Sequence, residues 1–270
     1  MRLTVQIMCL NGWGGALFEA VQAYLQQVRP DVLCLQEVVH SPASNKPWLT
    51  YRDGDHKLPQ RANFFRDVCE VLPDHAAYFF PAAQGVLWDE DKAIPSQWGL
   101  ATFVRSDLPI IGKAQGFVHK NFSAHGYGDH PRSRNAHVFK LYDIERDKPI
   151  VIAHMHGLRD LAGKMDTPER LAQAERFVHL IQKVADADDP LVVCGDFNIE
   201  PSSRMFEVFA RIGLRDLVTG RGFTDTRTSH YRKSGRYADY MLVNDRVDVL
   251  GFDVVEQPEV SDHRPLLLTL

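Results

Sequence analysis

Apolar runs that stop at polar residues punctuate this chain. Residues 3–10 form a mixed apolar stretch, read as a first strand, that ends in the glycine-rich turn Asn11-Gly12-Trp13-Gly14-Gly15. Leu17, Val21, Tyr24, Leu25 and Val28 recur at helical spacing until Arg29-Pro30, which predicts a helix over 16–28. A near-continuous apolar run at 31–36 ends at Glu37 and predicts a buried strand. Strand, helix, strand at this length is a crossover unit, which sets Asn11 and Glu37 at one edge of one sheet.

The next stretch, 39–97, is irregular and punctuated by Pro42, Pro47, Pro59, Pro73, Pro81 and Pro95. Within it a helix is expected at 61–72 and a strand at 76–80. The remainder reads as loops carrying Trp48, Tyr51, Lys57 and Trp88, long enough to line a substrate groove. Strands are expected at 99–105, 110–118, 135–142 and 149–153, the last running into His154-Met155-His156-Gly157. A polar loop at 119–134 holds His119, Lys120, His125, His130, Arg132 and Arg134. Thr167-Pro168 caps a helix that continues through Leu171, Phe177, Ile181 and Val184.

The run 191–201, LVVCGDFNIEP, reads as a buried strand entering a tight turn with polar groups at its tip. Asp196 and Asn198 alternate along it, so both project from one face. A short helix is expected at 202–212, then a basic loop at 221–236 holding Arg221, Arg227, Arg232, Lys233 and Arg236, interleaved with Phe223, His230 and Tyr231. Strands at 237–243, carrying Asp239, and at 247–254 precede Ser261-Asp262-His263 and a final strand. Strands dominate both halves with helices between some of them, which predicts one α+β domain, 1–270, of two facing sheets.

Composition narrows the class. With 270 residues, 44% hydrophobic and 24% charged, the chain can bury a sizeable core and is neither disordered nor membrane-like. No apolar run is long enough to span a bilayer, and the N-terminus reads as a strand rather than a signal peptide. A net charge of -4 withholds the strongly basic balance of a general nucleic-acid binder. Cys9, Cys34, Cys69 and Cys194 lack metal-binding spacing and read as small core residues of a reduced, cytoplasmic protein; a monomer is expected.

Against that frame Asn11, Glu37, His154, Asp196 with Asn198, Asp239, and Asp262 with His263 all fall at the ends of separate apolar strands. Acid, amide and imidazole at so many strand ends predict one site assembled at one edge of a sandwich. An oxygen-rich donor set suits six-coordinate Mg²⁺, which keeps much of its hydration shell. Zinc is the alternative, through His154 and His156, but neither has a cysteine nearby in the chain.

The blocks LNGWGG, DVLCLQEVV, HMHG, VVCGDFNIEP, RYADYMLV and VSDHRPL, in this order over residues 3–270, resemble the endonuclease/exonuclease/phosphatase superfamily. That superfamily includes abasic-site endonucleases, deoxyribonucleases, deadenylases, sphingomyelinases and inositol phosphatases. The resemblance implies a four-layer α/β/β/α sandwich of two mixed, mainly antiparallel sheets. It implies a Mg²⁺-dependent phosphodiesterase, with Mn²⁺ as an alternative metal, acting on nucleic acid or a small phosphodiester. By the same resemblance Glu37 is the principal metal ligand, with Asp262 on the metal side and Asn11 orienting Glu37 or the phosphate. Asp196 positions or deprotonates the attacking water, and Asn198 holds a phosphate oxygen. His263 contacts the scissile phosphate, and Asp239 orients it and raises its pKa. His154 matches a histidine near the phosphate, with His156 a weaker substrate-binding candidate. Which of Asp196 and the Asp239–His263 pair is the base stays open. Tyr237 stands where several relatives have arginine, so Arg236 receives no role. His154 in place of a tyrosine makes abasic-site cleavage less expected. A phosphomonoesterase and a non-catalytic phosphate-binding module on the same fold are the remaining alternatives.

Overall fold

A computed structural model describes residues 4–270; Leu3, where the first strand is expected to begin, lies outside them. In chain order the first half runs β1 (Gln6–Asn11), α1 (Phe18–Val28), β2 (Val32–His40), β3 (Trp48–Asp53), β4 (His56–Arg61), α2 (Phe64–Val71), β5 (His75–Asp89), β6 (Lys92–Arg105) and β7 (Ile110–His119). The second half runs β8 (Arg134–Asp143), β9 (Lys148–His156), α3 (Pro168–Ile181), β10 (Leu191–Asp196), α4 (Met205–Ala210), β11 (Arg215–Asp216), β12 (Asp239–Val243), β13 (Gly251–Val254) and β14 (Leu266–Thr269). Single turns of tighter helix occupy Trp13–Gly15 and Thr219–Arg221.

The strands form an eight-stranded sheet, β13-β14-β1-β2-β6-β5-β3-β4, and a six-stranded sheet, β11-β12-β10-β9-β8-β7. Each is mixed, because one crossover unit sits at its centre: β1 runs parallel to β2, and β9 parallel to β10, while the other pairings are antiparallel. Period-two alternation decides which core each residue joins. Ile7, Cys9, Val32 and Cys34 face the second sheet, whereas Met8, Leu10, Leu33 and Leu35 pack with Val21 and Leu25 of α1 and Phe64 and Val68 of α2. On the other side, Phe177 of α3 and Phe209 of α4 cover the six-stranded sheet. The order is therefore helices, sheet, sheet, helices, the architecture the resemblance implies.

The irregular stretch differs from expectation. Much of 39–97 is not loop: β3 and β4 form a hairpin, and β5 and β6 form another with strands of 15 and 14 residues. The prolines do not break these strands because each sits where a ladder hydrogen bond is not needed. Pro59 is on the edge strand β4, Pro81 sits where the β5–β6 register shifts, and Pro95 lies beyond the end of β2's pairing with β6. The long hairpin projects past the sandwich and becomes a wall of the site. Of the cysteines read as core residues, Cys9, Cys34 and Cys194 are buried, whereas Cys69 is only half-buried. Among the described residues no helix is long and apolar enough to cross a membrane.

Candidate active site

Parallel pairing of β1 with β2 matches Asn11 to Gln36, so Asn11 and Glu37 leave the first sheet side by side. In the second sheet the register aligns His156 of β9, Asp196 of β10 and Asp239 of β12 in one row across neighbouring strands. The sheets meet at this edge: Asn11 Nδ2 donates to Asp196 Oδ2 at 2.9 Å.

Local backbone chemistry aims these groups. Gly195 adopts φ 145°, and a Cβ there would lie 2.0 Å from the Met155 carbonyl oxygen, so only glycine lets β10 pass β9 here. Beyond it, Asn198 N donates to Asp196 Oδ1 at 3.0 Å, an Asx turn that closes the strand end. Asn198 has φ 55°, a left-handed conformation asparagine tolerates. Its Nδ2 donates to Gly157 O at 3.3 Å. Glu37 is also left-handed, φ 54°, inside the break in β2 pairing between Leu35 and Val38. That bulge keeps Gln36 turned inward while the Glu37 side chain, 28% exposed, opens onto a cavity.

The cavity, about 1120 Å³, holds Glu37, Asp196, Asn198, His156, Asp262 and His263 in its lining. Asp196 Oδ2 lies 3.6 Å from both His156 Nε2 and His263 Nε2. His156 Nε2 is 3.9 Å from Glu37 Oε1. Behind His263, Asp239 takes Nδ1 at 2.8 and 2.9 Å with its two oxygens. On the other ring nitrogen, Nε2, sits an Arg227 amino group. Guanidinium nitrogens only donate, so Nε2 is the acceptor and Nδ1 carries the proton shared with Asp239. Arg227 also lies 3.4 Å from Asp262 and 4.2 Å above the Tyr231 ring.

Burial governs the charges. Glu37 is pushed up to about 7, by burial first and then by Asp262 and Asp196 beside it. Burial likewise raises Asp239 to about 7 against the pull of Arg227. His263 falls to about 4, through burial and then Arg227, so the raised pKa expected from its Asp239 partner is not found. His156 is held well below the usual imidazole range by burial and the charge of Arg134.

Not every predicted residue reaches the cavity. His154 is fully buried between the sheets: its Nε2 is 2.7 Å from the Thr102 hydroxyl, which also meets His137 Nδ1 at 2.8 Å, and its Nδ1 is 3.2 Å from Gln36 Nε2. The correction is one of depth, because His156 lies on the same face two residues nearer the strand end and enters the cavity instead. Asn11 is fully buried too and does not line the cavity; its amide holds Asp196 rather than facing a substrate. Asp239 stands behind His263 in the same way.

Two arginines join that were visible in the sequence only as members of basic loops. Arg227 is one. Arg134, 3% exposed, donates to Gly157 O at 2.7 Å and Ser133 O at 3.1 Å, with its guanidinium 5.2 Å from the Trp98 ring centre. Burial lowers it to about 10 despite Glu37 and Asp196 nearby. Arg236, by contrast, is held by Asp225 at 2.6 Å and does not line the cavity. Nothing in residue type distinguishes these arginines; only the loop paths do.

The Endonuclease/Exonuclease/phosphatase family model matches residues 8–263. The chain belongs to that family. Membership places it among phosphate-ester hydrolases. No curated protein sequence matches it. Solved structures with the same fold include an endonuclease/exonuclease/phosphatase from Bacteroides vulgatus, 17% identical, TM-score 0.68, covering 99% of this chain and 98% of that one. The human Nocturnin catalytic domain with a bound sulfate anion is 19% identical, TM-score 0.65, covering 98% and 92%. A mannosyl-6-phosphatase from Bacteroides thetaiotaomicron is 15% identical, TM-score 0.68, covering 98% and 99%. At these identities the likeness extends to the fold alone.

The family implies a divalent metal, and the donors present fit one. Glu37, Asp196 and Asp262 share the cavity lining, the last two adding to the effect of burial in raising Glu37, and hard carboxylate oxygens are what Mg²⁺ or Mn²⁺ accepts. Potential ligand atoms of Asp196, Asp239 and His263 also lie within 4.8 Å of one another. Asp239 and His263 Nδ1, however, are already committed to each other, so the Glu37 side is the better cation site.

Proposed function

We propose that the chain is a Mg²⁺-dependent phosphodiesterase that hydrolyses its substrate by in-line attack of a water positioned by Asp196. One observation carries this reading: Asp196 is held through both oxygens in the lining of a cavity that it shares with Glu37, Asp262, Arg227 and His263, its Oδ2 3.6 Å from His263 Nε2.

The chemistry follows from charge. A phosphodiester resists water because its anionic oxygens repel a nucleophile, and charge must be met where it develops. Asn11 and Asn198 fix the Asp196 carboxylate while leaving it acceptor capacity for a water's proton. Asp196 is preferred as base over the Asp239–His263 pair because Arg227 already fills the His263 Nε2 lone pair. Arg227 and Arg134 offer guanidinium donors to phosphate oxygens, and the second Asn198 amide hydrogen offers another. His263, oriented by Asp239, backs Arg227 and fixes its direction. Glu37 and Asp262 would hold the metal, with Asn11 bonded to both Glu37 and Asp196 behind it. When bound there, the metal supplies Lewis-acid charge to the phosphate, typically worth several kcal/mol.

Walls on both sides of the site favour a small phosphodiester or a single-stranded end over a duplex. The net charge of -4 agrees, since tracking a long polyanion calls for a basic surface. The test is hydrolysis, with Mg²⁺ or Mn²⁺, of bis-p-nitrophenyl phosphate, abasic duplex, single-stranded DNA and RNA, sphingomyelin and a nucleotide. The expected result is cleavage of at least one, abolished by EDTA and by Asp196→Ala. No cleavage of any, or an undiminished rate in that variant, refutes the reading.

A further inference from the structure

The peptide unit that joins Gly157 to Leu158 has partners on both of its sides. On the carbonyl side, Gly157 O accepts from Arg134 Nε at 2.7 Å and from Asn198 Nδ2 at 3.3 Å, the two side chains assigned above to phosphate oxygens along with Arg227. On the amide side, Leu158 N donates to Gln173 Oε1 at 2.8 Å. A peptide is planar and this one is trans, so its N–H and C=O point opposite ways and turn together. We propose that Gln173 and Arg170, one turn apart on α3, are positioning residues for the reaction: they fix the plane of this peptide from behind and so aim Arg134 and Asn198 into the cavity. The proposal rests on the phosphoesterase reading and goes beyond it by giving a helix behind the site a part in the chemistry.

The start of α3 builds this clamp. Thr167 caps the helix, its hydroxyl accepting from Arg170 N at 3.3 Å, and three residues on from Arg170 the helix returns Gln173 to the same face. Both side chains are buried, at 1% and 0% exposure. Gln173 must turn its oxygen to Leu158, because a backbone N–H only donates. Arg170 spreads its amino groups over the carbonyls that follow: Nη2 donates to Gly163 O at 2.8 Å and to Leu158 O at 3.4 Å, and Nη1 donates to Met165 O. Both ends of the stretch after Gly157 are thereby tied to one helix face. Gly157 leaves its peptide no room to drift, since its N donates to Asp196 O at 2.6 Å and a Cβ there would lie 2.3 Å from the Phe197 carbonyl oxygen.

Packing of apolar side chains does not hold the outer part of this stretch. Among the described residues no helix or strand lies between β9 and α3, and Leu161 and Met165 are 71% and 61% exposed. Nor is the pair the arrangement that stability alone would select. Arg170 Nε and Gln173 Nε2 are buried with no hydrogen-bond partner among the described residues, a cost that a pair of apolar side chains would not carry. What the two side chains supply, and apolar ones cannot, is a direction for the backbone they hold. At its outer end the stretch is also joined to the segment before Asp239, because Lys164 Nζ donates to Gly235 O at 3.3 Å and to Tyr237 O. Removing the inner clamp is therefore expected to loosen the stretch without unfolding the sheets.

Trypsin reads the clamp without reference to catalysis, because Arg159 and Lys164 are cleavage sites inside the stretch. Gln173→Met and Arg170→Met keep much of the volume and remove the bonds, and both are expected to be cut there about tenfold faster than the wild type, with the fragments mapped by mass spectrometry. On bis-p-nitrophenyl phosphate with Mg²⁺ the same variants are expected to lose about tenfold or more in kcat with KM within about threefold, since the misplaced donors act on charge that develops at the phosphate. Gln173→Glu keeps the acceptor for Leu158 N and is expected to hold kcat within about threefold of the wild type. A merely structural pair would lower Tm in these variants and leave kcat of the folded protein unchanged. Unchanged cleavage in both methionine variants, unchanged kcat in variants whose stretch is loosened, or an equal loss of kcat in Gln173→Glu overturns the proposal. Should Arg170→Met not fold, Gln173→Met, which removes a single bond, decides it alone. A wild type inactive on every ester of the panel above refutes the phosphoesterase reading and with it the role given to the pair, whereas loosening without kinetic effect refutes that role alone.

Discussion

Asp196 illustrates how little freedom the carboxylate proposed as the base is left. One oxygen accepts from the Asn11 amide and the other from the Asn198 backbone, and the residue is 2% exposed. Asp196→Asn keeps the shape but removes the basicity, and its amide would face the Asn11 amide donor. Its kcat on bis-p-nitrophenyl phosphate is expected to fall about 10²- to 10⁴-fold, the usual worth of a positioned base. The paired histidines separate site from scaffold. His156→Gln is expected to lower kcat/KM at least about tenfold, because the ring lies between Glu37 and Asp196. His154→Gln is expected to keep turnover within a few-fold while lowering Tm, because it breaks the contacts to Thr102 and Gln36 inside the sandwich. Thermal melts and steady-state rates on both variants check this; equal loss of activity in the two would contradict the depth argument.

The bulge in β2 shows why an element is bent where chemistry is needed. A non-glycine residue held left-handed costs about 1–3 kcal/mol, and Glu37 carries that strain together with like charges from Asp196 and Asp262. Glu37→Gln removes the repulsion and leaves the backbone as it is. In EDTA the variant is therefore expected to melt higher than wild type, and in Mg²⁺ only wild type is expected to gain stability, since a ligand bound to the folded state alone raises Tm. Melting curves of both proteins with and without metal decide it. A wild type indifferent to Mg²⁺ would remove Glu37 from the metal site. The β5–β6 hairpin makes the same point: Pro81 and Pro95 mark places where the strand can afford to lose a hydrogen bond, not places where it stops.

Packing two sheets face to face buries polar groups that only the assembled molecule must satisfy. Between them Thr102 links His137 and His154, both held neutral, with His137 lowered to about 3 by burial and then Lys113. A histidine whose folded pKa lies below its unfolded one supports the fold fully above the unfolded value, near 6.5, and loses that support as pH falls toward the folded value. Between pH 7 and pH 5 this residue should cost the wild type about 2 kcal/mol of unfolding free energy. Urea titrations of wild type and His137→Gln at the two pH values test it, the wild type being expected to show the larger drop. Glu37, raised rather than lowered, works in the opposite direction, which is why the difference between the two proteins is the proper measure.

The family resemblance implied the four-layer order, whereas the residue pattern by itself determined the first crossover unit, the two facing sheets and which strand ends carry acid, amide or imidazole. Each follows from local rules: apolar period, turn chemistry at Gly195 and Asn198, and a cap at Thr167. Tertiary structure decided depth and company. Two residues of strand separate an interior His154 from a cavity-facing His156, and no local signal encodes where the neighbouring sheet ends. Arg227 and Arg236 sit in one loop with the same chemistry, yet one meets His263 and the other Asp225, because loop path is fixed by long-range contacts such as the Arg227–His263 bridge. The far wall of the cavity was hidden for a related reason: its strands contain prolines, and whether a proline breaks a strand depends on which neighbour, if any, needs its hydrogen bond.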